Sequence, residues 1–231
     1  MSGTIMITGC NRGIGLELAS QFAQDGWRVF ACCRDLKKAE DLQSLQAEFP
    51  RVQPLQLDVT DYDQMISLGK ALHGEPIDIL LNNAGYYGPK GTSFGQVDRE
   101  EWRRVLESNT IAPYMMAETF CDNVAASEYK LMAMMSSKVG SIADNRSGGG
   151  YIYRSSKTAL NQVVKSLSID LKERGIAVLA LHPGWVQTAM GGPGALISAA
   201  QSTKALKKIL VGADLGKSGH FYNYDGSEIP W

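Results

Sequence analysis

Short apolar runs alternate with longer, mixed stretches along most of the chain. The runs are typical of strands that are buried on both faces, and the stretches between them repeat apolar residues at helical spacing. This alternation predicts right-handed βαβ units and a parallel sheet covered by helices on both faces. The predicted strands cover residues 4–7, 27–33, 52–57, 77–81, 131–135, 176–181 and 220–223.

Local signals refine the stretches between the strands. Asp61 is a suitable helix N-cap, Gly175 is a suitable C-cap, and Pro54 indicates a strand near the sheet edge. The predicted helices cover residues 16–23, 36–49, 61–73, 98–126, 151–174 and 203–211. We therefore expect an α/β protein with a Rossmann-type doubly wound sheet of about seven mainly parallel strands, in a single domain over residues 1–231.

Composition and charge favour a small-molecule partner. The chain carries 23 basic and 24 acidic residues, so it lacks the basic excess that nucleic acid or an anionic membrane surface would select. Residues 1–8 contain no charged region typical of a signal peptide, and the apolar runs are too short to span a membrane. We therefore expect no nucleic-acid or membrane partner.

Cysteine and histidine spacing predicts no metal site. The cysteines lack zinc-like spacing, which favours reduced structural thiols in a cytoplasmic protein. The histidines show no ligand spacing either. The residues in question are Cys10, Cys32, Cys33 and Cys121, with His73, His182 and His220.

A glycine-rich loop, residues 9–15 (GCNRGIG), joins the first strand to the first helix. Glycines allow a tight turn, bring backbone N–H groups close to a phosphate and let the helix pack on its strand, while the helix N-terminus favours negative charge. In this strand–loop–helix context the pattern favours a dinucleotide site over a structural turn.

The end of the second strand bears on the choice of dinucleotide. An acidic residue there would bond the ribose 2′-hydroxyl of NAD, but this chain has Cys33 followed by Arg34. Together with Arg12 in the glycine loop, Arg34 would form a guanidinium clamp for the 2′-phosphate of NADP. Asp35, beside Arg34, weakens this inference.

Tyr153 and Lys157 stand four residues apart at the start of a predicted helix, after a run of glycines. Helical spacing puts both side chains on one face, where the lysine cation would lower the pKa of the phenol.

The fifth strand places Ser136 and Ser137 at its carboxyl end, where open α/β sheets bind ligands. Asn109, mid-helix before Pro113, is either a helix-distorting structural residue or a catalytic one.

These motifs, in this order, resemble the short-chain dehydrogenases/reductases over essentially the whole chain. Within that family the resemblance is closest to C-factor and sniffer-type carbonyl reductases, through residues 136–142, 148–151, 190–193 and 224–231. The family-wide motifs are residues 8–15, Asp58, residues 82–85 (NNAG), Asn109, Ser137, Tyr153, Lys157, Pro183, Gly184 and Thr188.

The resemblance implies a role for each catalytic candidate. Tyr153 would protonate the substrate carbonyl, and Lys157 would lower its pKa and bond the nicotinamide ribose. Ser137, rather than Ser136, would hold the carbonyl oxygen, and Asn109 would keep a water in a proton relay.

The resemblance and the loop chemistry together give a set of candidate NADP(H)-binding residues. Asp58 and Val59 would contact the adenine end, residues 83–85 the ribose, and Val186 and Thr188 the carboxamide. The full set is Gly9, Asn11, Arg12, Gly13, Ile14, Gly15, Arg34, Asp58, Val59, Asn83, Ala84, Gly85, Tyr153, Lys157, Pro183, Gly184, Val186 and Thr188.

The leading hypothesis is an NADPH-dependent carbonyl reductase. One alternative is a dinucleotide-binding signalling protein of C-factor type, whose NADP occupancy is read by a partner. A second, weaker alternative is an NAD-dependent alcohol dehydrogenase, which would need an acidic residue in place of Cys33.

The substrate itself is not identified by the sequence. Residues 189–202 are predicted to form a mobile lid. Five candidate residues could line an apolar substrate pocket, but a role in the core or at an interface is equally compatible with each of them. The resemblance also implies a homodimer or homotetramer that associates through the helices predicted at 98–126 and 151–174. The candidate pocket residues are Tyr86, Tyr87, Trp185, Met190 and Leu196.

Overall fold

A single sheet organises the structure, a computed structural model that describes residues 2–231. Within those residues the sheet has seven strands, all parallel, in the order β3-β2-β1-β4-β5-β6-β7. The predicted doubly wound fold is confirmed. The strands are β1 (Thr4–Thr8), β2 (Arg28–Cys33), β3 (Val52–Gln56), β4 (Ile79–Asn82), β5 (Leu131–Met135), β6 (Ala177–His182) and β7 (Phe221–Asn223).

Helices cover both faces of this sheet, as the apolar pattern predicts. Strand β1 shows why: Ile5 and Ile7 join one buried cluster, whereas Met6 joins the cluster on the opposite face. The helices are α1 (Gly13–Gln24), α2 (Glu40–Glu48), α3 (Tyr62–Ala71), α4 (Arg99–Leu106), α5 (Ala112–Thr119), α6 (Cys121–Ala125), α7 (Tyr151–Asp170) and α8 (Ala199–Val211).

Two local signals have their predicted effects. Strand β3, which contains Pro54, lies at the sheet edge. The side chain of Asp61 caps α3 by accepting a hydrogen bond from the backbone N–H of Gln64 at 3.0 Å. Proline lacks the N–H that a strand inside the sheet would need, which favours an edge position for β3. The aspartate carboxylate accepts hydrogen bonds, which suits Asp61 to the helix N-cap.

The long helix predicted over residues 98–126 is wrong as a continuous element. A π-helical turn, Glu107–Ile111, separates α4 from α5, and a further break at Phe120 precedes α6. Pro113 cannot donate to the carbonyl of residue 109 and its ring crowds that carbonyl, so the helix widens just before it. This turn carries Asn109.

Other helix boundaries also differ from the prediction, and α1 begins at Gly13 rather than at residue 16. Helix α7 ends at Asp170, and a 3-10 turn, Lys172–Arg174, leads to Gly175 at φ 73°. Residues 36–38 form a separate 3-10 turn before α2. Helix α8 begins at Ala199, so residues 199–202 of the predicted lid belong to a helix.

None of the helices in residues 2–231 is long and apolar enough to cross a membrane.

Candidate active site

The carboxyl ends of β1 and β4 meet where the strand order reverses, which is where open parallel sheets bind their ligands. The hydroxyl of Thr8 accepts hydrogen bonds from the backbone N–H groups of Asn83 (3.0 Å) and Ala84 (2.9 Å). The Asn83 amide donates to the carbonyl of Thr8 at 2.8 Å. These bonds tie the two strand ends together and form the floor of a crevice.

The glycine loop lies against this floor too closely for side chains. A Cβ on Gly15 would lie 2.3 Å from the carbonyl oxygen of Gly9 and 2.6 Å from Nδ2 of Asn83. A Cβ on Gly9 would lie 3.0 Å from Cα of Ala84, and Gly9 has φ 74°. The loop therefore has the close backbone approach that a dinucleotide pyrophosphate requires, and the residues present fit that group.

Helix α1 presents its first turn to the same loop. Its N-cap position is Arg12, which provides no capping bond, and its first turn, which starts at Gly13 and Ile14, contains no acidic residue. Asn11 is exposed on the loop. Uncapped N–H groups at the positive end of a helix suit a phosphate.

The arginines that would select NADP lie at the surface of this region. Arg12 and Arg34 are both exposed, and across residues 2–231 neither has a salt-bridge partner. Asp35 caps the next turn through the N–H of Lys37 at 3.0 Å and pairs with Lys38 at 3.5 Å. Its carboxylate thus contacts residues that follow it rather than Arg34.

Asp58 and Val59 follow β3, at the same edge of the sheet as the glycine loop. The Asp58 carboxylate accepts from the N–H of Thr60 at 3.0 Å and from its hydroxyl at 2.8 Å, while Val59 packs against the core. These bonds fix the turn after the strand, and contact of Asp58 and Val59 with an adenine stays a prediction.

Tyr153, Lys157 and Ser137 come together at the carboxyl end of β5. Lys157 lies one helical turn after Tyr153 on α7, with Nζ 5.7 Å from the centroid of the phenol ring. Ser137, just after β5, lies close enough to the phenol to influence its pKa. The structure therefore brings together Tyr153 and Lys157, which helical spacing paired, and Ser137, which the resemblance favoured over Ser136.

The ionisation of this group differs from the sequence-based expectation. Burial raises the pKa of Tyr153 above its ordinary value, the neighbouring Tyr87 adds to the rise, and the Ser137 side chain offsets part of it. Burial also lowers the pKa of Lys157 to about 7, and its ammonium donates to the carbonyl of Met135 at 2.8 Å. The expected lowering of the phenol pKa by a full lysine charge is thus absent here, because exclusion of water dominates both groups.

Asn109 is fully buried, and its side chain hydrogen-bonds the backbone of Tyr86. Its Oδ1 accepts from the N–H of Tyr86, and its Nδ2 donates to the Tyr86 carbonyl, both at 2.8 Å, and to the Ser156 hydroxyl at 3.1 Å. A Cβ on Gly85 would lie 3.2 Å from Asn109 Oδ1 and 3.7 Å from Lys157 Nζ. Asn109 therefore holds the Tyr86 backbone directly beside Lys157, and its catalytic role stays a prediction.

Ser136 takes a structural role, unlike Ser137. Its hydroxyl is buried and donates to Oδ1 of Asn161 at 2.6 Å, and Nδ2 of Asn161 donates to the carbonyl of Gly140 at 3.3 Å. This pair fixes the 3-10 turn, Lys138–Gly140, that follows Ser137.

The loop after β6 closes the other side of the crevice. The carbonyl of Pro183 accepts from the Ser202 hydroxyl at 2.6 Å, and Gly184 turns the chain at φ 84°. Val186 forms a β-bridge with Ile197. A Cβ on Gly13 would lie 3.5 Å from Cγ2 of Thr188, so this loop meets the glycine loop.

A cavity of about 200 Å³ opens beside Tyr153. Of the five candidate pocket residues, Tyr87 lines it, while Tyr86 turns away and donates to Glu101 at 2.8 Å. The other three are exposed on the loop that follows β6. The lining residues are Tyr87, Pro89, Gly91, Thr92, Gly150 and Tyr153, and the loop residues are Trp185, Met190 and Leu196.

Sequence reasoning missed two residues that organise this site, and it assigned no role to a third. Ser156 supports Asn109 and Asn161 supports the turn after Ser137, while Thr8, quoted only as part of the glycine motif, joins the two strand ends. Ser156 and Asn161 follow Tyr153 by three and eight positions on α7. That spacing puts them on or near the buried face of the helix and is the signal that would have identified them.

A family model and a curated relative match this chain. A family model for short chain dehydrogenases matches residues 3–194. The C-signal protein of Myxococcus xanthus is 38% identical over 156 residues, which cover 68% of this chain and 93% of that protein.

Solved structures match across the full chain. The carbonyl reductase Sniffer of D. melanogaster has a TM-score of 0.94 at 32% identity, with 100% of both chains covered. An NADPH-bound carbonyl reductase from chicken fatty liver has a TM-score of 0.90 at 31% identity, covering 100% of this chain and 98% of that one.

Proposed function

Because the chain belongs to the short-chain dehydrogenase family of oxidoreductases, we propose that it reduces an aldehyde or ketone to the alcohol with NADPH. The observation that carries this proposal is the group formed by Tyr153, Lys157 and Ser137, which lies between a glycine cradle and an open cavity. Solved relatives described as carbonyl reductases, one of them NADPH-bound, support it.

The phenol of Tyr153 acts as the general acid. Because burial raises its pKa, the phenol is protonated at neutral pH, which is the form that donates a proton to a carbonyl oxygen. The hydroxyl of Ser137 holds the same oxygen and stabilises the negative charge that develops on it. NADPH, when bound, supplies the hydride.

Lys157 and Asn109 assist proton transfer by the phenol of Tyr153. Protonated Lys157 stabilises the phenolate left after proton transfer and bonds the nicotinamide ribose. Asn109 fixes the Tyr86 backbone beside Lys157. In this proposal it also keeps the relay water that returns a proton to this group.

NADPH is the preferred cofactor in this proposal. The exposed guanidiniums of Arg12 and Arg34 supply two cations at the 2′-phosphate, and the uncapped start of α1 receives the pyrophosphate. The other candidate cofactor residues line the crevice between these points, with Asp58 and Val59 at the adenine and Thr188 at the carboxamide.

Arg34 provides a direct test of this preference. Loss of one charge-assisted contact predicts that Arg34→Ala weakens NADPH binding about tenfold and NADH binding hardly at all. Fluorescence titration gives both dissociation constants, and Arg103→Ala on the exposed face of α4 is the matched control. Equal losses for the two cofactors would remove Arg34 from phosphate recognition.

A second candidate function is signalling. The similarity to C-signal favours a dinucleotide-binding protein whose NADP occupancy is read by a partner. The set of Asn109, Ser137, Tyr153 and Lys157 supports catalysis, and it is compatible with both roles in one protein.

The experiment that tests the proposed function is NADPH oxidation with a panel of aldehydes, ketones and quinones, each repeated with NADH. We expect turnover of at least one carbonyl, faster with NADPH than with NADH. Tight NADPH binding without turnover of any panel member would favour the signalling function instead.

A further inference from the structure

Tyr87 lies directly against the proposed general acid. Its ring stacks on the ring of Tyr153, with centroids 4.4 Å apart and planes at 27°. Its side chain is not enclosed, since Tyr87 remains 36% exposed and contributes to the wall of the cavity beside Tyr153. The edge of Tyr87 that Tyr153 leaves uncovered is therefore available to a molecule in that cavity.

The segment that carries Tyr87 has a defined conformation. Gly88 has φ 74°, and a Cβ there would lie 2.8 Å from Cγ2 of Val105, so the backbone bends against α4 immediately after Tyr87. The ammonium of Lys90 lies 5.8 Å from the centroid of the Tyr87 ring and donates to the carbonyl of Met190 at 3.3 Å. The ring is thus held between Tyr153 and a contact that joins the two loops around the cavity.

The cavity has room for a compact ring. For comparison, a closed apolar cavity of about 150 Å³ holds a benzene molecule. The cavity here, about 200 Å³ and open to solvent on one side, has room for roughly one ring together with its carbonyl group. Besides Tyr87 and Tyr153, its lining consists of Pro89, Gly91, Thr92 and Gly150.

On the premise of the proposed function, we propose that Tyr87 is a specificity-determining residue that selects compact carbonyl substrates with a planar, conjugated ring. Such a ring meets the uncovered part of Tyr87 in the offset or edge-to-face arrangement that aromatic pairs prefer. A saturated ring of the same size fills the cavity but lacks this interaction. Tyr87 thereby acts on the choice of substrate, while Tyr153 performs the proton transfer.

The test compares benzaldehyde with cyclohexanecarbaldehyde as substrates for the NADPH-loaded protein. We expect Tyr87→Leu to lower the ratio of their kcat/KM values, aromatic over saturated, by about 3- to 10-fold, whereas Tyr87→Phe keeps the ratio within about twofold. Tyr114→Leu makes the same chemical change at an exposed position on α5 and leaves the ratio unchanged. A ratio that stays constant in Tyr87→Leu would overturn the assignment.

A binding measurement separates this inference from the proposed function. Benzyl alcohol and cyclohexylmethanol form dead-end complexes with the NADPH-loaded protein, and calorimetry gives their dissociation constants without turnover. A preference for benzyl alcohol that Tyr87→Leu abolishes supports the assignment even if neither aldehyde is reduced, and the reductase function is then decided separately by the full carbonyl panel. Reduction of both aldehydes, with no effect of Tyr87→Leu on either ratio, overturns the role of Tyr87 alone.

Discussion

The ammonium group of Lys157 is buried in the interior of the protein. The residue is 4% exposed, its ammonium donates one hydrogen bond to Met135, and burial lowers its pKa to about 7. In the unfolded chain a lysine has a pKa of about 10.4. Between these values the unfolded state binds more protons than the native state, so Lys157 makes the free energy of unfolding increase as pH rises.

Replacement of Lys157 by methionine isolates this effect. We expect the free energy of unfolding of the wild type to increase from pH 7 to pH 9 relative to that of Lys157→Met, by on the order of 1–2 kcal/mol. Urea denaturation without cofactor at both pH values measures the difference. Lys165→Met, at an exposed position on the same helix, provides the control. A gap between wild type and Lys157→Met that is independent of pH would mean that Lys157 keeps its charge up to its ordinary pKa.

Residue identities at the candidate site were predictable, but their ionisation was not. Tyr153 and Lys157 were identified because four-residue spacing on a helix puts two side chains on one face. Their pKa shifts depend on how far water is excluded by β5, α7 and the segment after β4, and no local sequence pattern encodes that exclusion. Tyr87 was named as one of several pocket candidates, but its stacking on Tyr153 required the structure.

At the scale of elements, the apolar pattern located every strand, and the main errors concern helix ends. The π-helical turn at Glu107–Ile111 was missed as a structure, although Pro113, which widens the helix, was visible in the sequence. The consequence is functional, since this turn directs Asn109 towards Tyr86 and Lys157.

The start of α8 was also predictable in principle. Ser198 and Gln201 form a reciprocal capping box, and the serine-to-glutamine spacing that produces it is present in the sequence. The small residues of this region were instead interpreted as part of a mobile lid. Residues 189–198 fold back on the loop after β6, for example through the N–H of Leu196 bonded to the carbonyl of Trp185 at 3.0 Å. A lid motion of this segment stays a prediction.

At the scale of the whole molecule, the strand order decides where function resides. The alternation of strand and helix patterns in the sequence predicted parallel strands. The reversal of strand order between β1 and β4 depends on contacts between residues that are far apart in the sequence, so no local pattern predicts it. That reversal creates the crevice into which the glycine loop, α7 and the loop after β6 all open. The short-chain dehydrogenase family model matches residues 3–194, and the similarity of this arrangement to a solved carbonyl reductase covers the full chain.

Association between copies of the chain stays a prediction. Exposed apolar side chains on the helices expected to pair include Tyr114 of α5 and Ile169 of α7, with Ile111 just before α5. Light scattering would distinguish the expected homodimer or homotetramer from a monomer.

In the proposed reaction, Tyr153 donates the proton to the carbonyl oxygen. NADPH oxidation by Tyr153→Phe with a carbonyl that the wild type reduces, alongside NADPH binding by fluorescence, tests this role. We expect turnover to fall by at least about 10²-fold while the NADPH dissociation constant changes little, because the substitution removes only the acidic proton and its oxygen. Tyr151→Phe, in the same turn of α7, should retain turnover. Appreciable turnover by Tyr153→Phe would contradict the account and assign the proton to another group.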